Sequence, residues 1–283
     1  MADIYCVGVA GSGTMGAGVA EVAARAGHDV VLCSRSRQSG AQAVAGIAAG
    51  FERQIAKGRL GADERDEILA RISVTDAIID LADCDLVIEN VVEDMETKRA
   101  LFAALDAAVK PSAILATNTS TLPVVELAMS TTRPGQVCGI HFFNPAPTMR
   151  LVEIVRPPTA SATTIDRAVA FAERCGKEPI TVADHAGFVV NALLFPYLNN
   201  AVKMFERGTA TIESIDAAMC GGCGFPMGPF VLLDLIGLDT SVAILDTLHA
   251  EFGDANYVPA PTLRRMVGAG RLGRKTGSGF HRY

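Results

Sequence analysis

Tryptophan is absent from the chain, aromatic residues make up only 6% of it, and positive charge is in the minority, with 25 Lys and Arg against 31 Asp and Glu. A net charge of -6 supplies no global field for nucleic acid or an anionic membrane, so neither is expected as a partner. No apolar run approaches the ~18 residues that span a bilayer. The opening residues MADIYCVGV carry an acid where a secretory leader needs cations. The expectation is a cytoplasmic protein. Cysteine is sparse and odd in number, scattered at positions 6, 33, 84, 138, 175, 220 and 223, which suits reduced thiols rather than a disulfide framework. Cys220 and Cys223 form a CxxC with no second CxxC or histidine cluster to complete a metal site, so they are expected to be structural thiols.

What is present is ordinary globular material: 283 residues, 49% hydrophobic and 20% charged, enough for two domains. Ile4 to Ala10, Gly11 to Gly16, Ala17 to Ala26 and Asp29 to Cys33 read as strand, glycine turn, helix and second strand, a βαβ unit. Short apolar runs follow at Asp85 to Ile88, Ile114 to Ala116, Val137 to Ile140 and Leu151 to Val155, each after a segment able to form a helix. Strands alternating with helices predict a parallel, doubly wound α/β sheet. Past about residue 186 the alternation stops, and Phe188 to Glu206, Ile212 to Met219 and Pro229 to Ala250 read as helices. The predicted division is an α/β domain over residues 1–183 and an all-helical domain over 184–283, with the boundary inside Val182 to Gly187.

Gly11-Ser12-Gly13-Thr14-Met15-Gly16 fits G-x-G-x-x-G after a strand and at the start of a helix, the context in which this pattern binds a dinucleotide in a Rossmann-like domain. Gly11 permits the tight turn, Gly13 lets a pyrophosphate approach the backbone, and Gly16 brings helix and strand together, with the phosphates at the helix N-terminus. The alternative is a glycine turn that binds nothing. NAD sites place an acid about 20 residues further on to hold the ribose hydroxyls. Here Ser34 stands 21 positions after Gly13, followed by Arg35 and Arg37. A hydroxyl and two guanidinium groups suit a 2′-phosphate, which favours NADP(H) and leaves NAD(H) open. The alternative is an exposed arginine pair facing solvent.

The strongest polar cluster spans residues 113 to 156, where ATNTS, GIHFFNP and LVEIV each fall at or near a predicted strand end. Asn118 in the first of these is assigned to the cofactor. His141 can exchange a proton near neutral pH, and Glu153, 12 residues later, can orient the imidazole and stabilise its cation, a pairing suited to alcohol oxidation. Each also has a purely structural reading, as a hydrogen-bonded histidine and a paired or solvated acid.

With GSGTMGAG, ARAGHDVVL, DLVIENVVED, ILATNTST, GIHFFNPAPTMRLVEIV, GFVVNALL, FPMGPFVLLDLIGLDT and LGRKTGSGF in this order, the chain resembles the L-3-hydroxyacyl-CoA dehydrogenase family, particularly its short-chain bacterial 3-hydroxybutyryl-CoA members. The resemblance implies that His141 is the general acid/base and Glu153 its partner, that Ser120 and Asn191 hydrogen-bond the reacting oxygen, and that Asn144 supports the dyad. It implies cofactor contacts from Glu93, Lys98 and Lys275, a coenzyme A phosphate contact from Lys57, an acyl-CoA substrate and a homodimer. Ser120 as a turn cap and Asn191 as a partner of buried backbone remain the structural readings of those two. Ser34, Ala192 and the pair His185-Ala186 depart from the family pattern, where an acid, an arginine and a Thr-Pro or similar pair are usual. Two other functions fit the same scaffold: a dehydrogenase of a free hydroxy acid or sugar acid, and a nucleotide-binding protein without catalysis. Lys57 in principle discriminates the first, which equal turnover of free 3-hydroxybutyrate and its CoA thioester would favour, and the joint presence of Ser120, His141, Glu153 and Asn191 argues against the second.

Overall fold

Val7 and Val9, both fully buried, belong to β1 (Cys6–Ala10), a strand inside an eight-stranded sheet. The computed structural model describes residues 3–283. The further strands are β2 (Asp29–Cys33), β3 (Ile72–Thr75), β4 (Leu86–Glu89), β5 (Ile114–Thr117), β6 (Val137–Phe142), β7 (Leu151–Arg156) and β8 (Glu178–Ala183). Their order is β3-β2-β1-β4-β5-β6-β7-β8, and every pairing is parallel except that of β6 with β7. Helices α1 (Thr14–Arg25), α2 (Arg37–Ile55), α3 (Ala62–Ala70), α4 (Met95–Ala108), α5 (Val124–Ala128) and α6 (Ala162–Arg174) accompany the sheet. Every residue of β4, β5 and β6 is buried, as strands covered on both faces require. The fold is therefore Rossmann-like, and β1 lies between β2 and β4 where strand order reverses, the position whose carboxyl-end crevice receives ligands in such sheets.

Three strands differ from the sequence expectation. β3 and β8 were not anticipated: β3 has only four residues, and β8 is mostly exposed and contains Pro179, which an edge strand tolerates. β8 also draws Val182 and Ala183 into the sheet, and the first compact unit ends at Asp184. β7 runs antiparallel, where a parallel strand was expected, because residues 143–150 contain no helix to carry the chain across.

The second unit, His185–Tyr283, is helical, with α7 (Val190–Glu206), α8 (Ile212–Cys223), α9 (Pro229–Ile236), α10 (Leu238–Phe252) and α11 (Pro261–Gly268). The single helix expected over Pro229 to Ala250 is two, broken at Gly237, whose φ of +104° glycine adopts without steric cost. Phe195, Leu198, Phe230, Leu233, Leu245 and Leu248 form the centre of its core. Buried Asn199 fastens the segment before α11, donating to the carbonyls of Asn256 and Val258 and accepting from Ala260 N. Among the described residues no helix is long and apolar enough to cross a membrane.

Candidate active site

The turn from β1 into α1 requires glycine twice for steric reasons and once for access. A Cβ on Gly11, at φ +117°, would stand 2.4 Å from the Asn90 carbonyl oxygen, and one on Gly16 would stand 1.9 Å from that of Gly11. Gly13 meets nothing within 4 Å. Gly13 is also the N-cap of α1 and no side chain caps that helix, so its first-turn N–H groups suit an anion. A cavity of about 390 Å³ adjoins them, lined by Ser12, Gly13, Thr14, Glu21, Asn144 and Pro145 among others. Open backbone, helix N-terminus and cavity together fit the pyrophosphate of a dinucleotide. Met15, also expected at the cofactor, is partly buried and packs against the core. Asn144, assigned by resemblance to the dyad, lines the glycine-loop cavity.

Beyond β2, the Ser34 hydroxyl donates to the Ser36 carbonyl at 2.6 Å and is buried, so its proton is committed within the loop. Arg35 is exposed. Arg37, also exposed, lies 3.4 Å from the Asp76 carboxylate.

His141 on β6 and Glu153 on β7 are register partners in the antiparallel pair. The imidazole Nδ1 is 2.8 Å from Glu153 Oε2, and both residues are buried, at 4% and 0% exposure. Phe143 closes against the ring at 4.6 Å between centroids. A carboxylate on Nδ1 fixes the tautomer with that nitrogen protonated and directs proton exchange to Nε2.

A second polar network, absent from the sequence expectation, ties the ends of β4 and β5 together. Its centre is Glu89, fully buried at the end of β4. Its carboxylate takes both oxygens to Lys98 Nζ, at 2.7 and 2.8 Å, and also accepts from Val91 N and Thr117 Oγ1. An acid closing the apolar run LVIE was the available signal. Lys98, which the resemblance assigns to the cofactor, has a side chain 1% exposed, held by Glu89 and 3.2 Å from Glu93 Oε2. Glu93, 41% exposed at its side chain, accepts from Ser120 N at 2.9 Å and from the Thr119 hydroxyl. Ser120 is thus positioned through its backbone by Glu93, itself steadied by Lys98. The Asn118 amide bridges strand ends, donating to Asn90 Oδ1 and accepting from Phe142 N, one residue past His141.

Three expected residues remain, each described within its own unit. Lys57 is exposed just past α2. In the helical unit, Asn191 is buried in the first turn of α7, and Lys275 donates to Asp239 at 2.7 Å. Among the described residues no group of three or more His, Cys, Asp or Glu is placed to hold a metal ion.

Comparison with known proteins bears on the whole chain. Residues 6–185 match the family described as 3-hydroxyacyl-CoA dehydrogenase, NAD binding domain, and residues 187–283 match the C-terminal domain of the same family. A probable 3-hydroxybutyryl-CoA dehydrogenase of Deinococcus radiodurans is 44% identical over 98% of this chain and 99% of its own length. The crystal structure of M. tuberculosis FadB2 superposes with a TM-score of 0.98 at 44% identity, covering 100% of both chains. That of an (S)-3-hydroxybutyryl-CoA dehydrogenase from Ralstonia eutropha gives 0.96 at 41% identity, covering 99% of each.

Proposed function

The chain belongs to the 3-hydroxyacyl-CoA dehydrogenase family, and from that premise we propose that it interconverts (S)-3-hydroxybutyryl-CoA and acetoacetyl-CoA, with NADP(H) favoured over NAD(H). The observation that carries the reading is the buried His141–Glu153 bond between register partners on β6 and β7. A nicotinamide dinucleotide held at the glycine loop would supply hydride exchange with substrate C3. In oxidation His141 takes the hydroxyl proton at Nε2, and in reduction its imidazolium returns that proton to the developing alkoxide. Glu153 holds the ring through Nδ1 and stabilises the imidazolium while it exists. Ser120, set by the Glu93 carboxylate on its N–H, polarises the reacting oxygen. The family resemblance assigns a second such donor to Asn191.

Support for NADP(H) comes from a carboxylate missing at Ser34 and from exposed Arg35, with Arg37 shared with Asp76. Exposed Lys57 is the proposed coenzyme A contact. A homodimer in the cytoplasm completes the proposal. Parallel assays of acetoacetyl-CoA and free acetoacetate with NADPH test the substrate class. The thioester is expected to turn over far more efficiently, and equal efficiency would instead indicate an enzyme of free hydroxy acids.

A further inference from the structure

Cys6 and Cys84 are 78 residues apart in sequence and 3.3 Å apart at their sulfurs. Cys6 opens β1 and is partly exposed, and Cys84 stands two residues before β4 and is buried. They lie at the amino ends of adjacent strands, the far end from the glycine loop. The backbone beside both cysteines is held in place by Asp85. The Asp85 carboxylate accepts from Tyr5 N and Cys6 N at 2.8 and 3.0 Å and pairs with Lys110 at 2.6 Å, while Asp85 N donates to the Cys6 carbonyl. An S–S bond is about 2.05 Å long, so the two sulfurs have only to close from 3.3 Å for the bond to form.

We propose that this pair is an oxidation site, forming a reversible intramolecular disulfide when the protein meets hydrogen peroxide, with Cys6 as the attacking sulfur and Cys84 as the resolving one. The Cys6 sulfur attacks one peroxide oxygen and the O–O bond breaks, giving Cys6 sulfenic acid and water. The Cys84 sulfur then attacks the sulfenic sulfur, its proton leaves with the displaced hydroxyl as a second water, and the S–S bond forms. Both sulfurs are oxidised and both peroxide oxygens are reduced.

Exposure assigns the two roles: Cys6 is partly exposed and within reach of peroxide, and Cys84 is buried behind it. The hydrogen bond between the two sulfurs holds the Cys6 thiol below its ordinary pKa, against burial and the carboxylates of Asp85 and Asp29, with Lys110 assisting. Cys84 is moved upward by its bond to Cys6, by burial and by Asp85. Burial pushes Cys138 and Cys175 up to about 12, so neither competes as a thiolate.

The test is brief treatment of the full chain with hydrogen peroxide, alkylation of remaining thiols, and non-reducing peptide mapping by mass spectrometry. The expected product links the Cys6 and Cys84 peptides, two hydrogens lighter than the reduced pair, and is reversed by dithiothreitol. In Cys84→Ser, or Cys84→Ala should the serine variant not fold, a sulfenic-acid probe should label Cys6. In Cys6→Ser, Cys84 should stay reduced. A first disulfide between other cysteines in the unmutated chain, or oxidation of Cys84 that proceeds equally well without Cys6, overturns the proposal.

Discussion

His141 and Glu153 face each other across the antiparallel β6–β7 pair, with imidazole Nδ1 2.8 Å from the carboxylate. Register partners on antiparallel strands project from the same face of the sheet, so the 12-residue separation is a consequence of pairing. At 4% and 0% exposure the two groups interact through protein rather than water, where a carboxylate stabilises an imidazolium more strongly than at the surface.

Removing the imidazole removes the proton carrier. His141→Ala is expected to lower kcat at least ~100-fold, the lower range of a general acid/base contribution. Glu153→Gln keeps the shape and removes the charge, so kcat should fall while the cofactor Kd, read by calorimetry, stays near the wild-type value. Wild-type turnover in both variants would remove the dyad from the mechanism.

Gly13 and Gly16 separate access from packing. Gly13 has φ −70° and open space around it, so Gly13→Ala should keep the melting temperature and lose dinucleotide affinity. Gly16→Ala drives a methyl against the Gly11 carbonyl, an overpacking that costs about 1–3 kcal/mol, and should lower the denaturant midpoint. Matching stability losses in the two variants would contradict this division.

Cofactor preference should rest mainly on Arg35, because Arg37 is shared with Asp76 and the Ser34 proton is bound within its loop. Arg35→Ala is expected to cut the ratio of kcat/KM for NADPH over NADH by about ten-fold, the effect of one charge-assisted hydrogen bond. Ser34→Asp combined with Arg35→Ala should reverse the preference, and the wild-type advantage should shrink as salt rises. Equal or better efficiency with NADH in the unmutated protein at low salt would show that Arg35 serves solvent.

The parts of this molecule legible in its sequence are those set by local pattern. The βαβ opening and the glycine loop are contiguous, and the helices from Val190 onward repeat apolar residues at helical spacing. Less legible were elements whose form depends on a distant partner. β8 is an exposed edge strand whose alternation is broken by Pro179, and β7 takes its direction from the loop before it. Gly237 divides a helix that composition alone reads as continuous. In the site, His141 and Glu153 draw attention as polar residues in apolar runs. Glu89 is equally polar in an equally apolar run, but its worth depends on Lys98, Val91 and Thr117 arriving from three directions.

Asp184 carries a stability prediction at the end of the first unit. It accepts from Val124 N at 2.9 Å and Val125 N at 2.7 Å, capping α5 in place of its own N-cap residue Pro123, which has no side chain able to do so. Asp184→Ala leaves those donors without their acceptor and should cost about 1–2 kcal/mol, read as a lower chemical-denaturation midpoint. An unchanged midpoint would mean that water replaces the carboxylate at no cost.

Hydride transfer from substrate C3 is the central claim, and isotope transfer tests it most directly. Synthetic (S)-3-hydroxybutyryl-CoA bearing deuterium at C3, incubated with the wild-type protein and NADP, should give acetoacetyl-CoA and reduced cofactor carrying the deuterium at nicotinamide C4. The (R) enantiomer should remain unconsumed, and His141→Ala should show transfer slowed at least ~100-fold. Deuterium released to solvent, or thioester consumed with no label on the nicotinamide, would contradict it.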